Sequence, residues 1–194
     1  MRKKDLRITK TEESLRHALL QLLKKKPLEA ITIAELCRLA NINRGTFYLH
    51  YKDVHGVFKH YLEVIVEDFR LSYSEPYYKT NFHINNLEAD MIKIFDHVKK
   101  YQDFYQIIFD ENIPMMYYYL LFDTIRSFME DSLHENHNEI QSDIQTDYLI
   151  SYQSNAILGI LMEWHRQQYK TSIEELNQQL FHILSINSTF DKIE

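Results

Sequence analysis

Three glycines, three prolines and one cysteine are all that this chain of 194 residues holds of the residues that turn, break or staple a backbone. So few breakers leave little material for the tight hairpins of an all-β fold or for a glycine-rich phosphate loop, and they favour long helices joined by polar turns. The single cysteine, Cys37, excludes an intramolecular disulfide and any Cys-clustered zinc module. With no signal-like apolar run after Met1, the expected compartment is the reducing cytoplasm. No stretch of about 18 apolar residues occurs, so no membrane span is expected. Also missing are HExxH, GxSxG and P-loop patterns, which counts against the commonest hydrolase and nucleotide-dependent chemistries. What is present is enough apolar material for a core: 45% hydrophobic residues beside 26% charged ones, at a mean hydropathy of -0.41. The expectation is an all-α protein of about nine helices.

Charge divides the chain. Residues 1–60 carry 13 Lys/Arg against 6 acids, a balance of +7, whereas the rest carries 9 against 22, a balance of -13. The total of -6 hides this. A basic arm on an acidic body is a recognised hint of a polyanion-binding end.

The basic end has a helical grammar. Thr9 with Glu12 reads as a capping box for a first helix over about 10–26, with Leu15, Ala18, Leu19, Leu22 and Leu23 on one face and Pro27 as the stop. Thr32 with Glu35 opens a second, carrying Ile33, Leu36, Cys37, Leu39 and Ala40. Asn41 then sits where the chain must turn, and Asn tolerates the left-handed conformation. Asn43 caps a third helix, Arg44 to His50, and Asp53 caps a fourth. Two short helices joined by a turn of about three residues have the spacing of a helix-turn-helix, whose second element enters the major groove. The third helix suits that role. Arg44 can pair bidentately with a guanine or reach a phosphate, Gly45 lets the backbone approach, Thr46 offers a hydroxyl and a methyl, and Tyr48 and His50 carry polar tips on aromatic bodies. Phe47 and Tyr51, four apart, read as the side that docks inward. The helix-turn-helix unit is expected over 1–53, joined through helix 4 (54–72) to a body over 73–194, with a break around Pro76.

The run from Ile31 to Asp53, with its Thr-Ile-Ala-Glu-Leu opening, its Gly-Thr-Phe-Tyr core and its His-Tyr-Lys-Asp exit, closely resembles the DNA-binding segment of the TetR family (TetR/AcrR-type) of bacterial transcriptional regulators. The likeness covers about 50 residues, Thr9 to Phe58. Two positions depart from it: Asn41 stands where the family usually has Gly, and Val54 where it usually has a phosphate-touching Lys. That contact is then lost or taken by Lys52, His55 or Lys59. With Thr32 and Asn43 at the helix starts, the expected DNA-contacting set is Thr32, Asn43, Arg44, Gly45, Thr46, Tyr48, His50 and Lys52. The run Gly159 to Trp164, followed by Ser172 to Leu176, is similar to the closing helix pair of many members. The resemblance implies a homodimer through the last two helices, with Tyr148, Ile157, Gly159, Leu161, Leu180 and Leu184 at the interface. A mid-helix Gly159 costs roughly 1 kcal/mol against Ala, and close approach of another helix would offset that.

In the acidic body, helical spacing marks Leu87 to Val98, an aromatic segment Tyr101 to Phe109, a long helix opened by Pro114 and ending near Asn136, a longer stretch from Asp143 to Trp164, and a last helix capped by Ser172 and Glu175. Phe95, Phe104, Tyr105, Tyr118, Phe122, Tyr152 and Met162 would suit a cavity for a flat or apolar effector, although aromatics at helical spacing more often simply fill a core. His134 and His137 could chelate with Asp131, but a helix end is also where ordinary histidines collect, so neither metal nor cofactor is expected. The expectation is a sequence-specific regulator of double-stranded DNA, a ligand-responsive repressor on a palindromic operator. The alternatives are a coactivator-type member whose body binds a protein, a helical enzyme, or an interaction module.

Overall fold

The computed structural model describes residues 3–80, 86–109, 116–136 and 145–190, with side chains over 8–76, 78–80, 86–109, 117–131 and 145–185. Among these residues there are nine α-helices and no strand. They are α1 (Lys3–Leu23), α2 (Ile33–Ala40), α3 (Arg44–His50), α4 (Val54–Lys79), α5 (Ile94–Lys100), α6 (Gln102–Ile108), α7 (Met116–Asn136), α8 (Thr146–Arg166) and α9 (Ile173–Phe190). No helix among the described residues is long and apolar enough to cross a membrane. The contacts fall into two compact units, 1–65 and 66–194, and the division lies within α4.

The first unit is built around α1. Leu15, Ala18 and Leu19 are buried on it; α1 packs on α2 and α2 on α3, and Leu36, Cys37 and Ala40 of α2 and Phe47 of α3 are buried as well. Further apolar cover comes from Val54, Val57, Phe58 and Tyr61 of α4. Helix 1 starts at Lys3 and not near residue 10, so Thr9 lies inside it and does not cap it. The residues upstream are good helix formers without a breaker, and propagation through them outweighs a local cap signal. At the other end of α1 the chain leaves the helix after Leu23 and makes a short 3-10 turn at Leu28–Ala30 behind Pro27.

In the second unit α7 packs along α8, and α5 packs on α9 and α6. Phe95, Phe104, Tyr105, Leu121, Ile125, Leu158 and Leu161 are buried to 1% exposure or less. Helix 4 runs on to Lys79 and contains Pro76, where the sequence suggested a break. Proline removes one ladder hydrogen bond and crowds the carbonyl four residues back, at about 3 kcal/mol in a helix interior. Here it stands in the final turn, buried beside Tyr73 and Ser74, and its carbonyl still accepts from the Thr80 N–H at 3.1 Å. Tyr73 also packs edge-on against Phe128 of α7, so burial holds the last turn in place.

One polar chain crosses this core. His97, whose side chain is fully buried, has Nδ1 2.6 Å from Asp68 Oδ2 and Nε2 2.8 Å from the Tyr105 hydroxyl, while Lys100 Nζ lies 2.5 Å from Asp68 Oδ1. Desolvation pushes the imidazole down to about 4, against the pull of Asp68, so it is neutral near pH 7. A carboxylate can only accept; Nδ1–H therefore donates to Asp68, and Nε2 accepts from Tyr105.

Candidate nucleic-acid interface

Each element of the helix-turn-helix is pinned by a short-range polar contact. The Thr32 hydroxyl accepts from the Glu35 N–H at 3.3 Å, and the Glu35 carboxylate accepts from the Thr32 N–H at 3.0 Å, a complete capping box. The same carboxylate takes Lys26 Nζ at 2.8 Å through both oxygens, which ties the exit of α1 to the entry of α2. The Lys26 ammonium, with the two Thr32 donors, holds the Glu35 carboxyl down to about 2. Asn41 ends α2 in the left-handed region at φ 55° and ψ 42°, where a Cβ is tolerated poorly and Asn better than most residues. Asn43 Oδ1 then accepts from the Thr46 N–H at 2.7 Å and starts α3. Asp53 Oδ1 accepts from the Gly56 N–H at 2.8 Å and starts α4.

The seven residues of α3 are sorted by this arrangement. Phe47 is fully buried and Tyr51, just past the helix, is half-buried with its hydroxyl 2.7 Å from His60 Nδ1. Burial pushes the Tyr51 phenol up to about 12, so the group stays neutral and serves as a docking contact. Arg44, Gly45, Tyr48 and Leu49 are exposed, and at 100° per residue they fall on one outward face. Thr46 and His50 are half-buried at its edge, and Lys52 is exposed just beyond the helix. A Cβ on Gly45 would stand 3.3 Å from the Asn43 cap oxygen, so a side chain there would press on the cap. Thr32 is exposed, but its hydroxyl is engaged in the box. For the contact that Val54 cannot supply, Val54 itself being buried, the exposed Lys52, His55 and Lys59 all remain within the unit.

Leu49, 82% exposed, was not among the expected contacts, and Leu39, grouped with the apolar residues of α2, is 45% exposed. Leu49 carried a readable signal, since it lies off the Phe47/Tyr51 register. Burial pushes the Cys37 thiol up, which leaves it a small core residue without thiolate reactivity at neutral pH.

The residues nominated for an effector cavity fall in several places. Phe95, Phe104 and Tyr105 are core, with Phe95 edge-on to Trp164 at 5.7 Å. Tyr118 stacks on Phe122 and hydrogen-bonds to Asn155, whereas Tyr152 and Met162 are exposed on α8. A small cavity of about 30 Å³ lies among Ser72, Tyr73, Pro76, Ile92, Ile157 and Leu180, and an open trough runs along α4 from Arg70 to Lys79; none of the seven lines either. Of the residues nominated for a dimer face, Ile157, Leu161 and Leu180 are already buried in their own chain, Leu184 is half-buried, and Tyr148 and Gly159 are exposed. Tyr148, Tyr152, Ala156, Gly159 and Met162 share one outward stripe of α8, and a Cβ on Gly159 would meet nothing within 4 Å. His134 and His137 lie outside the residues whose side chains are described.

Residues 85–185 match the TetR-type family described as transcriptional regulator C-terminal region. An uncharacterised HTH-type transcriptional regulator, YxbF of Bacillus subtilis strain 168, is 23% identical over 183 residues; this covers 90% of the chain, which spans 44% of that relative's length. Among solved structures, a TetR-family regulator from Syntrophomonas wolfei is similar at a TM-score of 0.65 and 14% identity, over 93% of this chain and 96% of that one. The dihydroxyacetone kinase operon activator DhaS is similar at 0.58 and 19%, over 91% and 95%. The family is one of regulators and not of enzymes. With the C-terminal match, and with a capped helix-turn-helix at the front, the chain belongs to the TetR family of transcriptional regulators.

Proposed function

We propose that two copies of this chain bind a two-fold symmetric operator in double-stranded DNA and repress transcription until a small-molecule effector releases them, in the cytoplasm. One observation carries the reading: the outward face of α3, in which Arg44, Gly45, Tyr48 and Leu49 stand exposed while Phe47 anchors the helix from behind. A short helix held rigidly by its neighbours, presenting a guanidinium beside groups that can touch base edges, is what direct readout requires. The +7 balance of residues 1–60 favours approach to phosphates. One such helix covers too little groove to bind tightly, and a symmetric pair about 34 to 36 Å apart reads two half-sites. The exposed stripe of α8 around Gly159 supports pairing, because a glycine with open space above its Cβ position admits a second helix closely.

A second reading, an activator whose body responds to a protein, draws support from the packing of Phe95, Phe104 and Tyr105 into the core and from the likeness to DhaS, named as an operon activator. A gel shift with DNA upstream of the chain's own gene tests the binding. The native protein retards the duplex, and Arg44→Ala and Tyr48→Ala lose it; failure with any duplex contradicts the proposal. A thermal-shift screen of small molecules separates the two readings, since a ligand that binds the folded state raises the melting temperature.

A further inference from the structure

Leu49 is 82% exposed, the highest value among the large apolar side chains described, and nothing in its own unit needs it there. It belongs neither to the docking face of α3, which Phe47 occupies, nor to a cap. It stands one residue from Tyr48 and on the same outward face as Arg44 and Gly45. Leucine makes no hydrogen bond, so it cannot read a donor or acceptor. The major groove offers it one prominent complementary group, the C5-methyl of thymine, the only alkyl group on any unmodified base edge there. The basic balance of the surrounding sixty residues, with Arg44 exposed on the same face, favours a polyanion as the occupant of this face over another protein's apolar surface.

We infer that Leu49 is a specificity-determining residue that packs on a thymine methyl at one fixed position of each operator half-site. This rests on the DNA-binding reading above and adds the identity of a base to it. The methyl is the whole of the recognition signal: replacing thymine by uracil leaves every hydrogen-bonding group unchanged and removes one carbon. Desolvating such a group is worth about a fourfold change in affinity, or about fifteenfold when both half-sites of a symmetric site are altered.

The test uses the full chain and a duplex that the chain itself selects from a random-sequence pool. Each thymine of that duplex is replaced in turn, symmetrically in both half-sites, by uracil, and binding is measured by fluorescence anisotropy. One position is expected to lose about fifteenfold, and Leu49→Ala is expected to bind the thymine and uracil duplexes alike. Because Leu49 is so exposed, the variant should melt with the native protein, and circular dichroism checks that. If the native protein binds but no thymine-to-uracil change matters, or if Leu49→Ala keeps the preference, the inference is overturned while the DNA-binding reading stands. If the native protein selects no duplex at all, both fall together.

Discussion

The two units of this chain share a buried apolar core and differ in the polar contacts that organise it. In residues 1–65 the helix starts are set by short-range polar contacts, Thr32 with Glu35, Asn43 with Thr46 and Asp53 with Gly56, joined by Lys26 to Glu35 nine residues on, while Arg16 over the Tyr61 ring closes a longer span. In residues 66–194 the polar chain spans 29 residues from Asp68 to the buried His97, among aromatic rings, and 32 from Asp68 to the exposed Lys100. The first strategy sets a small helix at a defined angle with little buried mass and leaves its face to solvent, where Leu49 and Tyr48 stand. The second makes shape depend on distant packing. Both units rest on a buried core; in the first, local caps set where each helix starts, and in the second a long-range polar chain ties distant helices together.

That contrast can be broken in several places. The largest effect is expected on binding. Arg44→Ala removes up to one bidentate base contact per half-site, so affinity for a selected operator falls about 10²- to 10⁴-fold in a symmetric complex, with the melting temperature unchanged because the side chain is exposed. Next come core truncations. Phe47→Ala and Phe104→Ala each empty a site at or below 1% exposure and are expected to cost about 3 to 5 kcal/mol. Hydrogen exchange separates them, since Phe47→Ala should open residues 1–65 and leave 66–194 protected, and Phe104→Ala the reverse.

Acid should then divide the units. His97, at about 4 in the folded chain against 6.5 unfolded, takes up its proton first in the unfolded state, so stability declines as pH falls from about 6.5 to about 4. The loss is on the order of 3 kcal/mol and belongs to the second unit. His97→Gln, which keeps hydrogen-bonding capacity without titrating in this range, flattens the decline in a melting-temperature series. Glu35 shows the carboxylate case: its stabilisation is complete above the unfolded value of 4.5 and is lost as pH falls through about 2, so the first unit should hold where the second has begun to weaken. The smallest effect is expected at the cap: Thr32→Ala costs about 1 kcal/mol by denaturant unfolding.

The same contrast explains what could be read without coordinates. The box at Thr32, the caps at Asn43, Asp53 and Ser172 and the left-handed Asn41 are legible because each is set by residues three or four apart; at Ser172 the hydroxyl accepts from the Glu175 N–H, one half of the expected box. Two local signals misled for one reason: Thr9 looked like a start and Pro76 like a stop, yet helix continuation and burial overrode both. The Asp68, His97 and Tyr105 chain left no mark, since nothing local links those positions. Aromatics at helical spacing announced burial and could not say whether they lined a cavity, and Phe95, Phe104 and Tyr105 turned out to fill the core. The exposure of Leu49 is legible in its position off the Phe47/Tyr51 register.

The most direct measurement is a selection of random duplexes by the purified chain, followed by the mass of the complex in solution. The account predicts an inverted repeat occupied by an even number of chains, lost with Arg44→Ala. Recovery of no common sequence, or equal retention of the duplex by native protein and Arg44→Ala, would contradict it.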